Sequence, residues 1–209
     1  MVCMRPDLAY AVGVVRRFLS NPGKDHWAAI KWIFTYIRGT SNVCLCFGDG
    51  KTLLKGSTDA DMAGDIDSRK STSGYLMTFS GEAISWQSKL QKCVALSTTE
   101  AEYITVAEGC KEMLWIKRLL HELGVKQEMY ILLCDNQSAI HLSKNSTFHS
   151  RSKHIDVRHH WIRDVLDEKL LQLEKVHTDE NGSDIMTKSL TKEKHDFCKG
   201  KAGLVEPPT

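Results

Sequence analysis

Apolar positions along the chain switch between two periods. From Asp25 to Arg38 they recur at helical spacing, in Asp25-His-Trp-Ala-Ala-Ile-Lys-Trp-Ile-Phe-Thr-Tyr-Ile-Arg38, after a breaker at Asn21-Pro22-Gly23, and this predicts a helix. A shorter helix is predicted from Pro6 to Phe18, with proline at its start, where the missing amide hydrogen costs nothing. Gly39 to Lys51 reads as loop and strand with a turn at Asp49-Gly50. Thr52 to Asp61, Gly74 to Ser80 and Ala83 to Ser88 read as strands, the last two joined into a hairpin across Ser80-Gly81-Glu82; the charged stretch Asp65 to Ser73 is turn-like. Thr98 to Leu123 is a long helix, with Ser97 and Thr98 as cap candidates and Gly124 as its stop. Met129 to Cys134 is a continuous apolar run of the length of a strand buried on both faces. Beyond Asp135-Asn136 follow a short helix through Ala139 to Leu142, a helix over about 155–168, a strand from Leu170 to His177 and a final helix from Gly182 to Leu190. Hairpins first and alternation later imply an α/β domain, a mixed sheet with helices packed on it.

Bulk composition narrows the function classes. The 209 residues give room for one good core, or one domain and an appendage. The net charge of +2 supplies no global basic field, so a nucleic-acid signal must be local. No apolar run has the length of a membrane span, and Met1 to Arg17 carries charge where a secretory signal would be apolar, so the expectation is an intracellular protein with no membrane partner. Seven cysteines (3, 44, 46, 93, 110, 134 and 198) form no CxxC pair, and several lie in apolar runs. Reduced, buried thiols are expected, without a disulfide framework or zinc finger.

The local basic signal lies between His141 and Arg163. It holds five of the nine histidines (141, 149, 154, 159 and 160) with Lys144, Arg151, Lys153, Arg158 and Arg163, against the single acid Asp156. Arg151, Lys153 and Arg158 are candidates to hold a nucleic-acid backbone without reading its sequence. The histidine spacing fits no compact zinc pattern. Trp86 and Trp161 read as core residues and His141 as structural.

Among the acids, rotation about the long helix separates two groups. Glu108, Lys111, Glu112, Arg118 and Glu122 fall on one side, and Val106, Gly109, Met113, Ile116 and Leu120 on the other. Glu102 points with the apolar group and Glu100 with the charged one. A carboxylate on an apolar stripe needs a partner or a cation. Asp135 closes an apolar strand and precedes a helix, where ligands gather in α/β sheets and where an acid also serves as an N-cap. Asp59 and Asp61 share one face of the first strand, either could be a solvated edge residue, and Asp184 sits at a helix start, where an acid complements the dipole. Taken together, such acids would make an oxygen-only site suited to Mg²⁺ or Mn²⁺. Two such ions about 3.5–4 Å apart stabilise the attacking water and leaving oxygen of phosphodiester hydrolysis.

Specific motifs go further. Ser57-Thr-Asp-Ala-Asp-Met-Ala-Gly-Asp65, Arg69-Lys-Ser-Thr-Ser-Gly-Tyr75, Ile84-Ser-Trp86, Val94-Ala-Leu-Ser-Thr-Thr-Glu-Ala-Glu-Tyr103, Leu114-Trp115, Cys134-Asp-Asn-Gln-Ser-Ala139, Phe148-His-Ser-Arg-Ser-Lys-His-Ile-Asp156 and Asp184-Ile-Met-Thr-Lys188 together cover nearly the whole chain. As a set they resemble the RNase H region of copia-type LTR retrotransposon Pol polyproteins. That resemblance implies an RNase H-like mixed five-stranded sheet flanked by helices. It also implies a catalytic, metal-holding set of Asp59, Glu102, Asp135 and Asp184, with Asp61 ranked second, and two divalent ions, Mg²⁺ or Mn²⁺. The implied activity is metal-dependent hydrolysis of the RNA strand of RNA/DNA hybrids. Ser97, Thr98, Asn136 and Gln137 join Arg151, Lys153 and Arg158 as candidate hybrid contacts.

By the same resemblance, residues 1–50 are a helical connection to a polymerase region of the same polyprotein, 51–195 the RNase H-like domain and 196–209 a C-terminal tail. The polymerase palm is absent, so no DNA synthesis is expected, and the implied location is a cytoplasmic particle or the nucleus. The chain departs from the family at Met62, where Trp is usual, at Gly182-Ser183, where Pro-Ala is usual, and at Met4, where Thr is usual. His177, the histidine nearest the last acid, reads as part of the final strand. Two other readings stand beside the enzyme: a catalytically decayed nucleic-acid-binding remnant of the same fold, and a scaffold or dimerisation piece resting on the N-terminal helices, which an exposed apolar face there would favour.

Overall fold

Pro6 opens the first helical turn, Pro6–Leu8, which runs into α1, Ala9–Arg16. The structure is a computed structural model and describes residues 4–47, 52–145 and 161–206. The elements that follow are α2 (Lys24–Gly39), β1 (Cys44–Leu45), β2 (Leu54–Ala60), β3 (Thr72–Phe79), β4 (Glu82–Leu90), α3 (Thr98–Glu122), β5 (Ile131–Cys134), α4 (Gln137–Lys144), α5 (Trp161–Asp167), β6 (Gln172–Lys175), α6 (Lys192–Lys201) and β7 (Leu204–Val205). Short 3₁₀ turns at Thr178–Glu180 and Gly182–Met186 join β6 to α6.

Five strands form one mixed sheet in the order β4-β3-β2-β5-β6, with helices packed on it, as expected from the sequence. β2, β3 and β4 are an antiparallel meander, and β5 and β6 run parallel to β2 and to each other. The β3–β4 hairpin turns at Ser80-Gly81, both with positive φ, the conformation a two-residue hairpin loop requires. The parallel β2–β5 ladder ends at the pair Thr58↔Cys134. Asp59 and Asp135, each one residue further on, therefore leave the carboxyl ends of adjacent strands side by side.

Alternation along β3 sorts the core onto two faces. Tyr75 and Met77 belong to the larger cluster, with Leu54, Val106, Met113, Leu132, Ile162 and Leu173, under α3, α4 and α5. Leu76 points the other way, into a smaller cluster of Ala9, Ala83, Ile185, Met186, Cys198 and Ala202, against which Leu45 and Trp86 pack. β1 and β7 pair antiparallel, Cys44↔Val205 and Leu45↔Leu204.

Several boundaries differ from expectation. β5 alternates, with Leu132 and Cys134 buried and Ile131 and Leu133 half-buried, so it is not covered equally on both sides. β3 begins at Thr72, inside the stretch expected to be a turn. The expected helix from Gly182 to Leu190 is a buried 3₁₀ turn ending at Met186, and the last helix is α6. The expected helix over 155–168 is seen as α5; residues 155–160 and the Asp49-Gly50 turn lie outside the described residues. No helix among the described residues is long and apolar enough to cross a membrane.

Candidate metal centre

Three chain segments carry acids to one point. Asp59, at the end of β2, and Asp184, in the 3₁₀ turn, are each 2% exposed, and Asp135, after β5, is half-buried. One oxygen from each of Asp59, Asp135 and Asp184 lies within 4.8 Å of the others; Glu102, Cys134 and Asp135 satisfy the same limit, so Asp135 joins the two groups. Glu102 reaches this place because α3 lies close on β2. A side chain at Gly109 would put its Cβ 2.6 Å from Thr58 Cγ2, so only glycine allows that approach. Glu102 Oε1 accepts a hydrogen bond from the Ala60 amide at 3.1 Å, and its Oε2 lies 3.8 Å from Cys134 Sγ. The turn bearing Asp184 is pressed onto β3, where a Cβ at Gly74 would collide with Met186.

Among the described residues, two ammonium groups enter the cluster. Lys188 Nζ lies 2.8 Å from Asp184 Oδ1 and 3.3 Å from Asp59 Oδ1, and Lys194 Nζ lies 3.1 Å from Asp184 Oδ2. Asp184 Oδ1 is buried and, among the described residues, receives no directed hydrogen bond besides the nearby ammonium charge. The Thr187 hydroxyl donates to Asp59 Oδ2, and the Lys175 ammonium to the Asp135 carbonyl.

Burial dominates the electrostatics. It pushes Glu102 up to about 9, with Asp59 and Asp135 adding repulsion. It pushes Asp59 up to about 6, against the opposing pull of Lys188 and Thr187. Burial also raises the Cys134 thiol to about 12, leaving a neutral S–H beside Glu102. The donor set is therefore carboxylate oxygen without thiolate, which fits a hard divalent cation.

Other candidates fall elsewhere. Asp61 Oδ1 accepts from the Thr72 amide at 2.7 Å and the Gly64 amide at 3.4 Å, closing the β2–β3 loop. Glu100 is buried, not solvated: it lies in the first turn of α3, and its Oε2 accepts from the Leu96 amide. Ser97 caps α3 by accepting from the Glu100 amide, next to the exposed Thr98, and Asn136 caps α4 by accepting from the Ala139 amide. Gln137 Nε2 lies 3.0 Å from His141 Nε2, and both residues are exposed. His177 lies beyond β6, capping a 3₁₀ turn, and not on the strand. Arg163 is buried, with its Nε donating to the Leu142 carbonyl. Arg151, Lys153 and Arg158 lie outside the described residues. Cys110, Cys134 and Cys198 are buried, whereas Cys44 is exposed. Sequence reasoning passed over Thr187, Lys188, Lys194 and Asn181 as parts of this place. The i, i+4 spacing of Asp184 and Lys188 was the available signal.

No family model matches the chain. It is 63% identical over 204 residues, 98% of its length, to the retrovirus-related Pol polyprotein from transposon TNT 1-94 of Nicotiana tabacum. The chain belongs to the retrotransposon Pol polyprotein family. It spans 15% of that polyprotein's length. This Pol segment is also 48% identical over 117 residues to the secreted RxLR effector protein 161 of Plasmopara viticola, covering 56% of the segment and 82% of the effector. Among solved structures, LC11-RNase H1 isolated from compost matches 70% of the segment and 97% of its own chain, at 11% identity and a TM-score of 0.47. The Pol segment's mixed five-stranded sheet flanked by helices is the architecture that its motifs implied.

Proposed function

We propose that this Pol segment hydrolyses the RNA strand of RNA/DNA hybrids with two divalent ions, Mg²⁺ or Mn²⁺, held by Asp59, Glu102, Asp135 and Asp184. The observation that carries the reading is the convergence of Asp59 and Asp135, at the ends of parallel strands, with Asp184 from the 3₁₀ turn, and with Glu102 joined through Asp135. When bound, such ions activate a water and stabilise the leaving oxygen. The protein's own residues do the rest. Asp59 and Asp184, buried and fixed on the sheet and the 3₁₀ turn, set the inner wall. Half-buried Asp135 marks the open side from which the hybrid arrives. Glu102 is held by the Ala60 amide and keeps a carboxylate oxygen within reach of Asp135. On this reading Ser97, Thr98, Asn136 and Gln137, at the starts of α3 and α4, and the basic residues Arg151, Lys153 and Arg158 guide the hybrid, and the work is done in the particle or nucleus where reverse transcription proceeds.

The test is cleavage of a labelled RNA/DNA hybrid with Mg²⁺ or Mn²⁺, beside an Asp135→Asn control and an RNA duplex. Metal-dependent cutting of the RNA strand of the hybrid alone, lost in the variant, is the expected result. A folded protein that binds the hybrid without cutting it is instead a decayed remnant.

A second observation supports a further role for the N-terminal helices. α2 buries no side chain fully and exposes Trp27, Trp32 and Phe34. This favours α2 as a docking face toward the polymerase region of the same polyprotein. Trp32→Glu would then weaken co-purification of the two regions expressed separately, and unchanged binding would remove this reading.

A further inference from the structure

Lys188 touches acids from two separate elements. Its ammonium lies 2.8 Å from Asp184 Oδ1 and 3.3 Å from Asp59 Oδ1, so it spans the gap between β2 and the 3₁₀ turn. The other ammonium, that of Lys194, contacts only Asp184 among the described acids. It is also tied by hydrogen bonds to the Thr178 carbonyl at 3.0 Å and the Asp179 carbonyl at 2.6 Å. The Lys188 head has no such backbone anchor among the described contacts, and its side chain is 38% exposed, on a flexible stem.

The two acid oxygens that Lys188 engages belong to the cluster whose donors lie within 4.8 Å of one another. A divalent ion takes carboxylate oxygens at about 2.0–2.1 Å, a space that an ammonium on the same oxygens excludes by size and by like charge. Resting on the metal-dependent reading above, we infer that Lys188 is an exchangeable internal cation, a positioning residue. It holds Asp59 and Asp184 together in the metal-free protein and swings into solvent when the first ion binds. Linkage then has a fixed sign. Whatever Lys188 contributes to the metal-free state opposes the metal by the same factor.

The experiment compares wild type, Lys188→Met and Lys188→Arg in the full chain. Mn²⁺ affinity is measured by calorimetry and melting temperature with and without Mn²⁺. Lys188→Met is expected to bind Mn²⁺ roughly tenfold more tightly, to melt lower without metal, and to regain wild-type melting at saturating Mn²⁺. Lys188→Arg keeps the metal-free melting temperature. Mn²⁺ binding by Lys188→Met that is unchanged or weaker overturns the inference, because Lys188 then helps to hold the ion. If Lys188→Met does not fold, the wild type decides. The NMR signal of reductively dimethylated Lys188, identified by its loss in Lys188→Arg, must move to a solvent-like position on adding Mg²⁺, and an unmoved signal overturns the inference. Hybrid cleavage by the wild type separates the two failures. Cutting without the affinity gain removes only the exchange, whereas neither cutting nor Mn²⁺ binding removes both.

Discussion

The side-chain amide of Asn181 donates to the backbone carbonyl of Thr58 at 3.0 Å, across 123 positions of sequence. Asn181 is fully buried, and its Oδ1 accepts from the Ser183 amide and hydroxyl. Thr58 precedes Asp59 and Ser183 precedes Asp184, so one side chain fixes the spacing of the two most buried acids. Asn181→Ala leaves the Thr58 carbonyl and the Ser183 groups without this partner and is expected to cost about 1–3 kcal/mol in urea denaturation. Asn181→Asp costs more, since it sets a carboxylate against that carbonyl beside two other acids.

Gly109 governs how closely α3 lies on β2. Gly109→Val has no room beside Thr58 Cγ2 and is expected to destabilise by about 1–3 kcal/mol, read as a lowered melting temperature. It also lifts Glu102 away from Ala60, so metal affinity falls along with stability.

The pH dependence follows from Glu102. Its folded-state value of about 9 stands above the ordinary 4.5, so between these limits the folded protein holds a proton that the unfolded chain releases. Stability from this group is full below the lower limit and declines as pH rises through the upper one. Asp59, raised to about 6, adds the same trend at lower pH. Metal-free protein should therefore melt lower at about pH 9 than at about pH 7, and Glu102→Gln should flatten the slope. Divalent ions select the ionised carboxylates and should reduce or reverse it.

Metal itself should stabilise the fold. At a free concentration of about a hundred times Kd the gain is about 2.7 kcal/mol. The expected observation is a melting temperature that rises with Mn²⁺ and returns to baseline with chelator. Asp184→Asn and Asp135→Asn should each reduce the rise sharply.

Much of this was legible because the informative residues sit on regular elements. The apolar stripe of α3 from Val106 to Leu120 is periodic, and it singled out Glu102 correctly as inward-facing. The same rotation misplaced Glu100, whose burial comes from the loop at Leu96 folding over the helix start, and helical periodicity does not encode that contact. α6 went unseen because Lys192–Lys201 is mostly polar and buries only Cys198 fully, so no stripe exists to be read. Asp184 was recognisable through its motif, but the buried turn that carries it depends on Asn181 and a carbonyl far away in sequence. Lys188 lay in the same motif, and its effect appears only once β2 is folded against it.

The central position of β2 sets the order in which the molecule can be made. Its antiparallel neighbours β3 and β4 follow it directly, but its parallel neighbour β5 emerges only after the whole of α3. The turn bearing Asp184 follows later still, and such distant pairings form slowly. A nascent chain that has cleared the ribosome only as far as β5 presents Asp59, Glu102 and Asp135 without Lys188, Lys194 or Asn181 to steady them. The acids are therefore held in register only after the chain through Lys194 has emerged, and a premature stop before Lys188 leaves a sheet with unquenched negative charge at its rim.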